Sequence, residues 1–71
     1  MNRVNPKVLL HSKWTAAQPQ NKEKHFTITE VEFDEDKTVS RCIIQAVMTL
    51  NEYQINWRDL KQPAIWRQGW C

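Results

Sequence analysis

Apolar and polar residues alternate in several stretches of this chain, and no apolar face recurs at the 3.6-residue spacing that would carry a long helix. The clearest alternation is "HFTITEVEF", in which Phe26 and Ile28 point one way and Val31 and Phe33 the other. A flat strand with one buried face cannot hold both pairs. One extra residue in a ladder flips every side chain after it, so the change of parity predicts a bulge, or a strand that passes from one side of a folded-over sheet to the other. "TVSRCIIQAVMTL" is the longest apolar run. It sets Cys42, Ile44, Ala46 and Met48 on one face and Val39, Ile43 and Val47 on the other, which predicts a central strand covered on both sides along part of its length.

The acidic stretch "DEDK" makes the turn between these two strands, and a second turn at "LNE" leads into "YQINW". There Tyr53, Ile55 and Trp57 share one face, and the short connection predicts antiparallel pairing with the preceding strand. Upstream, "SKWTAA" is extended, with Trp14 and Ala16 on one face, and "QPQNKEK" reads as an exposed loop because Pro19 has no N–H for a central strand. Short helical pieces are expected near both ends. Asn5 as a cap and Pro6 at the first position open a turn or two up to His11, and a second piece runs from Pro63 through Arg67, with Gly69 at its C-terminal cap. Together these elements predict a mainly β fold: a small curled antiparallel sheet of about four strands, of the SH3-like or Sm-like open-barrel kind, with short helical turns near both ends.

At 71 residues the chain is expected to form a single domain over residues 1–71. A domain of this size buries only roughly 60% of the surface its unfolded chain exposes, so each aromatic side chain counts. Three of the four tryptophans, Trp57, Trp66 and Trp70, crowd into the closing "WRDLKQPAIWRQGW". Leaving all three exposed would forfeit about 11–19 kcal/mol of gross burial, as much as the whole net stability of a typical domain. They cannot all form a docking surface. Trp57 is expected in the core with Tyr53 and Ile55, where Trp14 meets it. Trp66 folds the tail over an open end of the sheet, and Trp70, beyond Gly69, is left for contact with something else.

The formal charge of +2 hides a bipolar chain: residues 1–24 carry +4, residues 25–36 carry −5, and the remainder +3. That distribution weakens a nucleic-acid reading, for which a strongly basic domain is the expected footprint, and the acidic run reads as a solvated turn. With two cysteines and no signal-peptide pattern, a reducing cytosolic setting is expected, and no apolar run is long enough to span a membrane. His11, His25, Cys42 and Cys71 stand apart rather than in the close pairs that hold zinc, so no metal is expected. Cys42 lies among apolar neighbours that raise its pKa, Cys71 is the last residue, and one glycine cannot build a phosphate cradle. The carboxylates gather where nothing desolvates them. No enzyme activity and no cofactor are expected.

"NPKVLLHSKWTAAQPQNKEKHF" together with "YQINWRDLKQPAIWRQGW" resembles a small tryptophan-rich bacterial family. Its members share an N-P-x-x-L-L-x-S-K-W-T beginning, an E-K-H-F element and a W-x-x-L…W-x-x-G-W ending. Cys71 is not part of that pattern. The resemblance implies a bacterial, cytoplasmic, stand-alone domain and brings with it no catalytic or ligand residues. What remains is a binding surface of aromatics and arginine. The candidate residues are Trp66, Arg67, Trp70, Arg58 and Lys13, serving a protein partner or a second copy of the chain, since Trp and Arg are enriched where binding energy concentrates. The alternative is an RNA or single-stranded nucleic-acid binder that adds Lys22 and Lys24 and uses Trp66 or Trp70 as stacking platforms. A third reading makes every tryptophan structural.

Overall fold

The computed structural model describes residues 2–70, so the expectation for the Cys71 thiol lies outside the described residues. Five antiparallel strands form one sheet: β1 (Lys13–Gln20), β2 (Glu23–Phe33), β3 (Val39–Ala46), β4 (Glu52–Ile55) and β5 (Trp66–Gln68), in the order β4-β3-β2-β1-β5. The mainly β reading holds, with one strand more than expected. The sheet is open. A barrel would need its edges to meet, but the edge strands β4 and β5, four and three residues long, stand at opposite ends of the order. Among the described residues no helix is long and apolar enough to cross a membrane.

The parity change in β2 is a bulge. Ile28 pairs with Ile44 and Glu30 with Ile43, which leaves Thr29 as the extra residue and returns Val31, opposite Cys42, to the face of Phe26 and Ile28. A second irregularity leaves Ser40 unmatched, since Glu32 pairs with Arg41 and Phe33 with Val39. Val39 therefore joins the Cys42 face and packs against the core, rather than sharing the opposite face with Ile43 as expected. Ile43 is buried on that opposite face, as a central strand requires.

One face of the sheet carries the core: Trp14, Phe26, Ile28, Cys42, Ile44, Ala46 and Trp66. Leu9 and Leu60 cover it. Leu9 caps the 3-10 turn Pro6–Val8, where the Asn5 side chain accepts from the Lys7 N–H as expected of a cap. Leu60, fully buried, comes from a second 3-10 turn, Trp57–Lys61, capped in the same way by Asn56. That turn replaces the helix expected after Pro63. Residues 66–68 instead pair with β1, matching Ala16 to Trp66 and Trp14 to Gln68, because an extended segment beside an open β1 edge gains ladder hydrogen bonds that a one-turn helix lacks. Asn2 ties the ends together, its side-chain amide donating to the carbonyls of Leu60 at 2.9 Å and Trp66 at 2.7 Å.

Pro19 lies inside β1, against expectation, but outside the ladder. Register is lost between Thr15 and Gln20, and β5 pairs only with Trp14–Ala16, so no partner asks Pro19 for an N–H. β3 also ends earlier than its apolar run: the turn falls at Val47–Thr49 rather than at "LNE", and Met48, expected inward, is exposed. Between β1 and β2, Asn21 and Lys22 both have positive φ, 55° and 63°. This is the two-residue hairpin geometry that favours Asn-Gly. Lys22→Gly supplies that pair, and relief of the strained backbone, less the entropy of a glycine, is expected to stabilise the fold by about 0.5–1 kcal/mol. A thermal melt should show the midpoint rising by roughly 2–8 °C.

Candidate binding faces

Cross-strand partners share a face, so the register sorts the candidate residues. Trp66, opposite Ala16, belongs to the core face. It is only 9% exposed and meets Phe26 edge-on, with ring centroids 5.0 Å apart at 85°. It is a core residue, which corrects its place in an exposed platform. Arg67, opposite Thr15, projects to the other face. There the tail turns at Gly69, whose φ of 78° suits a residue without a Cβ, and whose N–H donates to the Lys13 carbonyl at 2.9 Å. The Thr15 hydroxyl donates to the Gly69 carbonyl at 2.7 Å, which explains a buried threonine on this face.

Trp70 then lies back across β1 and β2. Its indole N–H donates to the Phe26 carbonyl at 2.9 Å, Lys13 Nζ stands 4.8 Å from the ring centroid, and the His25 ring is 5.8 Å away. Even so, Trp70 is 46% exposed. Lys13, Arg67 and Trp70 are thus brought to one face, as the sequence suggested. Arg58 is not among them: it lines a notch of about 640 Å³ where β4 leaves β3, together with Trp57, Arg41 and Cys42. Trp57 is half-buried rather than central, and it carries Lys61 Nζ 4.7 Å from its ring centroid. Tyr53 has the expected facing but is 40% exposed, because its strand is an edge. Burial pushes the Cys42 thiol up to about 11, which removes its nucleophilic form at neutral pH.

The feature missed by sequence reasoning is Glu23. The loop expected at "QPQNKEK" would expose it, yet it is only 4% exposed. Its carboxylate gathers the end of the β3–β4 hairpin: the hydroxyl of Thr49 and the amide of Asn51, the latter at 3.2 Å, donate to Oε2, and the Tyr53 hydroxyl donates to Oε1 at 2.6 Å. These bonds, that from Thr49 foremost, hold the Glu23 carboxyl below its ordinary value of 4.5 against the opposing effect of burial. The same contact raises the Tyr53 phenol. The only trace in the sequence is the donor-rich "TLNEY", which gives no hint of the acceptor it serves. Glu23 also lines a cleft of about 610 Å³ on the core face, with Phe26, Tyr53, Ile55, Ile65 and Trp66.

No curated protein and no solved structure matches the chain. A family model does, over residues 12–71, beginning just after the "NPKVLLH" opening and including "SKWT", "EKHF" and the "WRQGW" ending that carried the resemblance. The chain belongs to the tryptophan-rich protein family DUF2389.

Proposed function

We propose that this protein works by binding rather than by catalysis, and that it presents the Trp70 face to a protein partner. One observation carries the reading: Trp70 is nearly half exposed and yet held in place by the Phe26 carbonyl, Lys13 and His25. A large side chain already immobilised loses little entropy on association, and Trp with adjacent Arg67 has the chemistry of an interface anchor. The protein reading is preferred to nucleic acid because Lys13 already stands over the Trp70 ring, where a base would stack. The other basic candidates are dispersed, Lys22 to a hairpin tip and Arg58 to the notch. A cytoplasmic setting suits the buried Cys42 thiol, which has no disulfide.

The test is capture of partners from the cell's own lysate, with and without nuclease and at low and high salt. Capture is expected to resist both treatments and to fall at least about tenfold with Trp70→Ala, the loss that roughly 1.4 kcal/mol at an anchor residue produces. Sedimentation of the purified chain separates a second copy from a different protein. Capture abolished by nuclease, or lost steeply with salt, would establish the nucleic-acid reading instead.

A further inference from the structure

The cleft on the core face has a composition that the Trp70 face does not share. Three aromatic rings line it: Phe26 meets Trp66 at 85° and Tyr53 at 60°, with centroids 5.0 and 6.4 Å apart, and Tyr53 is the exposed ring of the three while Phe26 and Trp66 are buried. The sheltered carboxylate of Glu23 belongs to the same lining, Ile55 and Ile65 add apolar surface, and Gln18, Gln20 and Asn21 add amide groups. Aromatic faces carry negative charge density, and they attract a cation more strongly as it is desolvated. Trp70 and Trp57 each already have a lysine of this chain over the ring, whereas the described residues lining the cleft include no lysine or arginine.

We propose that this cleft binds a quaternary ammonium group attached to an apolar body. The carboxylate decides between kinds of cation. Oε2 already accepts from Thr49 and Asn51, and Oε1 from Tyr53, so Glu23 offers charge with little spare hydrogen-bonding capacity. A primary ammonium would have to exchange its water for bonds to the amides of Gln18, Gln20 and Asn21, whereas an alkylated ammonium has no N–H to pair. The preferred group is one whose charge is wrapped in methyls, which pack against the rings while the carboxylate balances the charge.

The experiment titrates the full chain with choline and, separately, with its neutral tert-butyl isostere dimethylbutanol, following the Trp indole and backbone signals by NMR. Choline is expected to shift Trp66, Phe26 and Tyr53 and to bind about tenfold more tightly than the isostere. Glu23→Gln should bring choline down to the level of the isostere. If that variant does not fold, Tyr53→Leu, which removes the exposed ring of the three from an edge strand, gives the second comparison, with choline losing its advantage over the isostere. A trimethyllysine peptide forms a further arm: tighter binding than choline assigns the cation to a polypeptide, weaker binding assigns it to a small molecule, and both uphold the site. Equal binding of choline and isostere, or shifts centred on Trp57 or Trp70, would overturn it.

Discussion

Trp66→Ala is expected to cost about 3–5 kcal/mol, the range for truncating a large aromatic in a packed core. A chain of 71 residues has a net stability of only about 4–11 kcal/mol on the usual per-residue scale, so the substitution removes from about a quarter to all of it. The buried ring carries the loss, and two main-chain bonds of the same residue, which the substitution leaves in place, depend on the strand that the ring anchors. Its ring is the edge-on neighbour of Phe26, its backbone pairs with Ala16 in the last strand of the sheet, and its carbonyl receives the Asn2 amide that fastens the N-terminus to the tail. Removing the indole leaves a cavity on the core face beside Phe26 and loosens the edge strand that carries it. Urea unfolding followed by circular dichroism measures the effect; a midpoint within error of the wild type would contradict the packing described.

Acid is expected to weaken the fold through Glu23. A carboxyl whose folded pKa lies below its unfolded value contributes stability that is fully present above the unfolded value, here about 4.5, and is lost as pH falls through the lower folded value. Protonation would turn an acceptor of three donated hydrogen bonds into a group that competes for them, at the point where the β1–β2 hairpin meets the β3–β4 turn. Tyr53 acts at the other end of the scale: its raised pKa contributes stability below its ordinary value of 10 that is lost as pH rises through the higher folded one. Urea midpoints at neutral pH and at about pH 3 give the comparison for wild type and Glu23→Gln. The wild type should lose markedly more on acidification, and the variant should already be weaker at neutral pH. Parallel losses in both would remove Glu23 from the account.

Both expectations bear on how far the sequence could be read. The bulge at Thr29 was legible because apolar parity is a local signal: Phe26 and Ile28 cannot share a face with Val31 and Phe33 unless one residue is skipped. The Asn5–Pro6 start was legible for the same reason. What failed depends on long-range pairing. Residues 66–68 form a strand only because β1 presents an unpaired edge some fifty residues earlier in the chain, and Pro19 is tolerated in β1 only because the ladder breaks there. Glu23 looked like solvent-facing polar sequence because its three partners come from a hairpin more than twenty residues away. Among the candidate site residues, Lys13, Arg67 and Trp70 come to one face because β5 pairs with the "SKWT" strand.

The two tryptophans of "WRQGW" stand in opposite settings, with Trp66 buried in the core and Trp70 nearly half exposed. Urea unfolding of Trp66→Ala and Trp70→Ala side by side tests that contrast most directly. Trp70→Ala loses a half-exposed ring, one hydrogen bond and one cation–π contact, and is expected to cost about 1–2 kcal/mol while leaving a cooperative native state, against about 3–5 kcal/mol for Trp66→Ala. Equal losses, or a larger loss at Trp70, would mean that both residues are structural and that the face assigned to a partner is part of the core.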